Sequence, residues 1–477
     1  MHSLKLLESS GIKHIHFVGI GGISMSGLAE ILLQLGYRIS GSDIKSSSIT
    51  QKLEKLGIAF TPFHSEENIT NPDLVVHTAA VKDDNPEVAK AKKLGITVID
   101  RATLLGEIMR RYPYSIAVSG THGKTTTTSM ISMIMMESGC DPTIHIGGEL
   151  DAIGGNTRIG GQNYFIAEAC EYVESFLKFH PYMAVVLNIE ADHLDYFRDI
   201  QHIKQSFKSF ISLVPSNGYV VGCLDDKNVA ELMEKVNCNK VTYGINSPDA
   251  LWTASDIEFD YMGCASYKAF YKGSFFSDIK LNIPGIHNVS NSLAAIAACQ
   301  AIGCHAESIR RGLLGFFGTH RRFELKGIVN GVRVVDDYAH HPSEVKATLK
   351  AARNTSHKRI WCVFQPHTYT RTKSLMNEFA ASFDDADAVI VTDIYAAREK
   401  DPGDVHSSEL AEKIKCSGKC CMYMKSFDEI VDCLMENAQS GDIILTMGAG
   451  DIYRVSEMFV SRSSNDAGKL TDKTAKI

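Results

Sequence analysis

Residues 114–137 constrain this chain most. Tyr114–Ser119 is an apolar run of strand length, the stretch from Lys124 to about Glu137 reads as a long helix, and Gly120-Thr121-His122-Gly123 stands between them. A strand that turns through glycines into a helix gathers backbone N–H groups at the helix N-terminus with no Cβ in the way, which suits phosphate oxygens. Lys124 adds a cation for the β- and γ-phosphates, and the Thr125 hydroxyl offers an oxygen to Mg²⁺. The full phosphate-loop pattern places glycine where Val118 stands, so this is the shortened form, GxxGKT. Gly120, Thr121, His122, Gly123, Lys124, Thr125 and Thr126 are therefore expected to bind a nucleotide.

The same strand–helix alternation recurs on both sides. Upstream, His14–Ile20, Tyr37–Asp43, Leu74–Ala80 and Ile96–Asp100 read as strands separated by helices, which implies a parallel sheet with right-handed crossovers. Downstream of the loop, Tyr164–Ala169, Met183–Ile189, Tyr219–Cys223 and Lys240–Tyr243 read as strands, 250–285 alternates as antiparallel strands do, and Asn288–Ile302 is a helix. A third restart follows Gly318–Arg322, with strands at Val332–Asp336, Lys358–Gln365, Ala388–Asp393 and Asp442–Met447. The expectation is an α/β chain of three domains: 1–111, 112–318 and 319–461. The polar stretch 462–477 is expected to be disordered.

Other polar clusters fall at predicted strand ends, where loops of a parallel sheet gather on one edge. Gly19-Ile20-Gly21-Gly22 links a strand to a helix, but Ser24 stands where a dinucleotide fingerprint wants glycine, so NAD is one candidate among diphosphate ligands. Asp43 closes the next strand, where an acid can take a ribose hydroxyl. Glu168 ends a strand and is followed by Glu171 and Glu174, and a second strand runs into Asn188, Glu190, Asp192 and His193, so Glu168 and His193 are expected to face the triphosphate. Glu168 and His193 are the expected metal-site pair, with solvent exposure the plainer reading of Glu190 and Asp192. Asp336–Pro342 and Phe364–Arg371 supply Tyr338, His340, His367 and Arg371, and a guanidinium can clamp a carboxylate with two parallel bonds. Arg322, at the second hinge, is expected to face phosphate.

Composition narrows the class. With 477 residues, 44% hydrophobic and 22% charged, the chain can build several cores without disulfides. A net charge of −7 without a Lys/Arg cluster argues against general nucleic-acid binding. No secretion signal or span-length apolar run is visible, and the twelve cysteines form no CxxC pair, which fits a reducing cytoplasm. Cys416, Cys420 and Cys421 are expected to be buried or inert.

Taken in order, GTHGKTTTT, NIEADH, GIHNVSNSLAA, THRRFE, DDYAHHPSEV and FQPHTYTRT resemble the Mur ligase family, over roughly residues 12 to 455. The resemblance implies a Rossmann-like N-terminal parallel sheet, a central P-loop ATPase-like domain with added antiparallel strands, and a Rossmann-like C-terminal domain. It implies an ADP-forming ligase of peptidoglycan precursor synthesis that takes ATP, UDP-N-acetylmuramate and L-alanine, with Mg²⁺, through an acyl phosphate. It places Gly21, Gly22, Asp43, His77, Thr78 and Ala79 on the uridine diphosphate, and Asn288 and Asn291 near adenine. Tyr338, His340, His367 and Arg371 then line the amino-acid side, and Thr125, Glu168 and His193 hold the metal. Lys124, His193 and His340 are the catalytic candidates, with His193, His340 or bulk water taking the amine proton. The expected assembly is a monomer or weak homodimer in the cytoplasm.

Two stretches depart from the family pattern. Ala167–Val173 reads AEACEYV where many relatives have AEADESD, and Pro366–Arg371 reads PHTYTR where many have PHRYTR. The competing readings are a murein-peptide ligase of the same family, an NAD-dependent oxidoreductase, and a catalytically dead sensor of UDP-sugars.

Overall fold

The protein is described by a computed structural model covering residues 7, 11–78, 80–194, 196–397 and 399–462. It forms two compact units. One holds the described residues up to Glu190 with Ile200–Tyr243 and Ala294–Gly312, and the other holds Ala191–Asp199, Gly244–Leu293 and the chain from Leu313.

All five residues of β1 (His14–Val18) are buried, as a strand with helices on both faces of its sheet must be. β2 (Arg38–Ser42), β3 (Ala59–Thr61), β4 (Leu74–His77) and β5 (Thr97–Asp100) complete a sheet of order β3-β2-β1-β4-β5, parallel throughout. One face of this sheet packs Val18, Ile69, Val75, Val88 and Ala91 together.

The first unit also carries β6 (Tyr114–Ser119), β7 (Thr143–Leu150), β8 (Gly155–Arg158), β9 (Tyr164–Glu168), β10 (Met183–Val186), β11 (Tyr219–Cys223) and β12 (Asn239–Gly244). They run in the order β12-β11-β10-β6-β9-β7-β8, and β8 alone pairs antiparallel. Helix Lys124–Glu137 leaves the end of β6 almost wholly buried despite its run of Thr and Ser. Several of its hydroxyls bond back within the helix: Thr128 donates to the Lys124 carbonyl at 2.7 Å, Ser129 to that of Thr125 at 2.8 Å and Ser132 to that of Thr128 at 2.7 Å.

In the second unit, β13 (Trp252–Phe259), β14 (Cys264–Tyr271) and β15 (Ser274–Pro284) form an antiparallel meander. β16 (Glu324–Val329), β17 (Val332–Asp337), β18 (Ile360–Phe364), β19 (Ala388–Val391), β20 (Cys420–Tyr423) and β21 (Ile443–Met447) form a sheet of order β16-β17-β21-β18-β19-β20. It is parallel except for the β16–β17 hairpin. Its two faces carry separate cores, one around Leu349, Phe364 and Phe379, the other around Trp361, Ile430 and Leu434.

The α/β class read from the sequence, with two largely parallel sheets flanking a mixed central one in chain order, is the observed one. Five strands escaped that reading. β3 has three residues, β7 and β8 are diluted by glycine, β16 is half-exposed, and β20 opens on exposed Cys420. Two expectations need correction. Of the cysteines expected to be buried or inert, Cys416 and Cys420 are exposed, so burial holds for Cys421 alone of that cluster. Arg462 lies in a helix described over 453–462 and pairs with Asp432 at 2.7 Å, while 463–477 lie outside the described residues. Among the described residues no helix is long and apolar enough to cross a membrane.

Candidate functional site

Gly120 and Gly123 have φ of +140° and +82°, and the Gly120 Cβ position lies 3.0 Å from the Leu187 side chain, so the turn needs glycine twice. The loop is pinned by the segment after β10. Asn188 Oδ1 accepts the His122 amide at 2.7 Å, its Nδ2 donates to the His122 carbonyl at 3.1 Å, and the Glu190 amide donates to Thr121 Oγ1 at 2.9 Å. His122 Nε2 also lies 3.3 Å from Glu190.

Lys124 opens the helix with its ammonium turned back over the loop. It donates to the carbonyls of Gly120 at 2.5 Å and Thr121 at 3.0 Å, and to both Glu171 oxygens at 3.1 and 3.3 Å. Burial alone would lower its pKa, but the Glu171 carboxylate more than offsets this and lifts it above the ordinary lysine value. Thr125 Oγ1 donates to Glu168 Oε2 at 3.1 Å, and Glu168 Oε1 accepts the Gly147 amide at 2.6 Å. A hydroxyl and a carboxylate together are the hard oxygen donors that Mg²⁺ prefers.

At the first sheet, Gly19 (φ +84°) turns β1 into helix Ile23–Gln34. Asp43 accepts the amides of Gly21 and Ile44, each at 2.8 Å, so its carboxylate braces the glycine loop itself, a role additional to the ribose contact expected from sequence. A Cβ on Gly21 would sit 2.9 Å from that carboxylate. Gly22 is the N-cap of the helix. His77 Nδ1 lies 3.1 Å from the Thr78 carbonyl, the Thr78 amide donates to Val18, and Ala79 lies outside the described residues. Ser24, next to this loop, meets His145 of β7 at 2.8 Å and Arg101 at 3.0 Å. Burial pushes His145 down to about 3, so it is a neutral partner.

In the second unit a cavity of about 210 Å³ is lined by Asp192, Tyr338, His340, His367, Arg371 and Glu399, among others. Arg371 reaches Asp192 Oδ1 through both Nε and Nη2, at 3.2 and 2.9 Å, with the side chains 10% and 9% exposed. Burial would raise the Asp192 pKa, but Arg371 first, then His193, holds it well below the usual carboxylate range. The solvated Asp192 of the sequence reading is thus corrected to a buried ion-pair partner. His193 adopts φ +54° and its amide donates to Asp192 at 2.7 Å.

His367 Nδ1 lies 3.2 Å from Arg371, and its ring stacks on Tyr395. The Tyr338 ring is flanked by Arg321 and Arg322, at 4.9 and 5.1 Å. Arg322 also lies 3.9 Å from Glu344. Burial pushes His340 down to about 4. It is neutral at pH 7 but a poor resting place for a proton, which weakens its candidacy as a base. Asn291 donates to Asn288 at 3.0 Å, and Asn288 to the Pro284 carbonyl at 2.8 Å, both at the start of helix Ile286–Ala301.

The structure therefore brings Gly120–Thr126 and Glu168 together in one unit, and His193, Tyr338, His340, His367 and Arg371 together in the other. Sequence reasoning named Glu171, Asn188 and Asp192 without the roles seen here, and it passed over the Ser24–His145–Arg101 contact. A second acid three residues after Glu168 was the one available signal.

A phosphate loop opening a helix at the edge of a mostly parallel sheet, in a chain of α/β sheets, defines a nucleotide-using α/β protein. The chain belongs to the Mur ligase family. Its residues 14–113 match the Mur ligase family catalytic domain, 118–299 the middle domain and 321–450 the glutamate ligase domain. It is similar to a UDP-N-acetylmuramate–L-alanine ligase of Acetivibrio thermocellus, 65% identical over 96% of this chain and 98% of that one. Among solved structures it is similar to a UDP-N-acetylmuramate–alanine ligase of Thermotoga maritima, with 30% identity, TM-score 0.80, and coverage of 95% and 99%. It is also similar to a murein peptide ligase of Psychrobacter arcticus, with 26% identity, TM-score 0.69, and coverage of 95% and 99%.

Proposed function

We propose that this enzyme joins L-alanine to the lactyl carboxylate of UDP-N-acetylmuramate, converting ATP to ADP and phosphate, in peptidoglycan precursor synthesis. One observation carries the reading: 65% identity, over nearly the whole of both chains, to a protein bearing that activity in its name. The murein-peptide alternative is the weaker one, since the likeness to that structure is lower in both identity and TM-score. No hydride-transfer constellation accompanies the glycine loop at Gly21, and the phosphate loop has no use in an oxidoreductase.

The chemistry follows from need. A carboxylate has only oxide to expel, so the γ-phosphoryl is first transferred to it, and the acyl phosphate then expels phosphate when the amine attacks. Gly120–Thr126 with Lys124 cradle the triphosphate and stabilise charge on the transferring group. Thr125, Glu168 and His193 are the residues proposed for Mg²⁺. The first two are suitable oxygen donors set 3.1 Å apart, and an imidazole is a less usual ligand. The ion, when bound, would neutralise charge on the phosphoryl oxygens.

Asn288, Asn291 and Arg322 are proposed to serve ATP, and Gly21, Gly22, Asp43, His77, Thr78 and Ala79 the UDP-sugar. Tyr338, His340, His367 and Arg371 are proposed to hold alanine, Arg371 gripping its carboxylate. The amine proton goes to His193 or bulk water in preference to His340, whose lowered pKa opposes that role. We place the lobes at 1–111, 112–318 and 319–461, which the matched ranges support. A cytoplasmic monomer or weak homodimer completes the proposal.

A substrate panel tests it. Phosphate release with ATP and UDP-N-acetylmuramate should depend on L-alanine and be negligible with a preformed tripeptide. The reverse preference would transfer the reading to the murein-peptide ligase, and release without either would defeat both.

A further inference from the structure

The Lys124 ammonium has three protons to donate. All are committed to the Gly120 carbonyl, the Thr121 carbonyl and the Glu171 carboxylate. A phosphate oxygen reaching Lys124 must displace one of these acceptors from its N–H. The two carbonyls are part of the loop that would cradle the phosphate. Glu171 is different: it is an anion, its side chain is 3% exposed, and it repels the incoming phosphate. It also stands at the head of an unusual backbone. The following segment, Tyr172–Lys178, carries two consecutive left-handed residues that are not glycine, Val173 at φ +47° and Glu174 at +55°. For a β-branched residue that conformation is strained. The Glu174 amide donates to the Glu171 carbonyl at 2.8 Å, tying the strained turn to the carboxylate's own residue.

We propose that Glu171 is a positioning residue that competes with nucleotide phosphate for the Lys124 ammonium, so that nucleotide binding exchanges the carboxylate for a phosphate oxygen and releases the 170–178 segment. This rests on the reading of Gly120–Thr126 as the ATP loop. A carboxylate acting only as a fixed brace would make the opposite contribution, since its loss would leave the lysine less well placed and the nucleotide more weakly held.

The test is calorimetric titration of the full chain with magnesium-free ADP, which reports on the loop and Lys124 without the Thr125–Glu168 oxygens entering through the ion. Glu171→Gln keeps the size and removes the charge. Its ADP Kd should fall about fivefold, while Glu171→Asp, which keeps the charge, should stay near wild type. An unchanged or higher Kd in Glu171→Gln overturns the proposal. Should that variant fail to fold, amide exchange on the wild-type chain decides. ADP should slow exchange across 120–126 and speed it across 170–178, and protection of both stretches overturns the proposal. A wild-type chain that gives no ADP heat and no protection at 120–126 would remove the ATP assignment itself, a distinguishable outcome.

Discussion

At the scale of single residues, Lys124 and Arg371 carry the account. Lys124→Ala should lower turnover by about three orders of magnitude while leaving UDP-sugar affinity within about twofold, as steady-state rates and direct titration would report. It should also destabilise the chain, because Glu171 would be left buried without its cation, by about 3–5 kcal/mol. Combining it with Glu171→Gln should recover much of that stability without recovering turnover, which equilibrium unfolding can check. Arg371→Lys should raise the KM for alanine about tenfold or more with the KM for ATP unchanged, since an ammonium cannot make two parallel bonds to a carboxylate.

The separation of these residues explains what sequence could and could not tell. Glu168 ends β9 and Thr125 opens the helix that follows the neighbouring parallel strand β6, and strand ends in such sheets share an edge, so their meeting was legible. Asp192 and Arg371 are 179 positions apart, and nothing local distinguishes an acid destined for burial from a solvated one. Asn188 was equally silent, because its task is to bond a loop 66 positions earlier.

At the scale of elements, helix Arg101–Met109 is fitted closely against the segment Tyr172–Lys178. Gly106 lies in helix Arg101–Met109, and a Cβ there would come 2.0 Å from the Lys178 carbonyl, a backbone atom that cannot step aside. Gly106→Ala should therefore destabilise by about 1–3 kcal/mol through forced separation of helix and segment, seen as a lower denaturant midpoint with little change in slope. Strands with unbroken apolar runs, such as β6, β10 and β18, announced themselves because burial on both faces demands that composition. The β7–β8 hairpin did not, since Gly147 and Gly148 interrupt the apolar pattern. Gly147 donates its amide to Glu168, and a Cβ on it would lie 2.7 Å from that carboxylate. The helix after the phosphate loop was legible from its position, although four consecutive threonines are poor helix formers; burial and back-bonded hydroxyls override propensity there.

At the scale of the whole molecule, stability should depend on pH through Asp337. It is buried and accepts the amides of Ala339 and Phe323, each at 2.7 Å, yet burial outweighs these bonds and Arg322, and raises its pKa from 3.8 to about 6. A carboxyl whose folded pKa is raised contributes its stability fully below the unfolded value of 3.8. That contribution is lost as pH climbs through about 6. The rise is about two pH units at about 1.4 kcal/mol apiece, or ~3 kcal/mol. Thermal melts of wild type and Asp337→Asn should show the variant gaining relative stability between pH 4 and 7; parallel curves would contradict this. The three-part plan itself was legible because the strand–helix alternation restarts twice, each time beside a glycine-rich turn, at Gly120 and near Gly318.

The central claim is that the substrate carboxylate is activated by phosphorylation before the amine attacks. UDP-N-acetylmuramate labelled with heavy oxygen in its lactyl carboxylate, turned over with ATP and L-alanine, tests it in one mass measurement of the products. One labelled oxygen should leave in each phosphate released, with the other retained in the new amide carbonyl. Unlabelled phosphate accompanying amide formation would contradict the account.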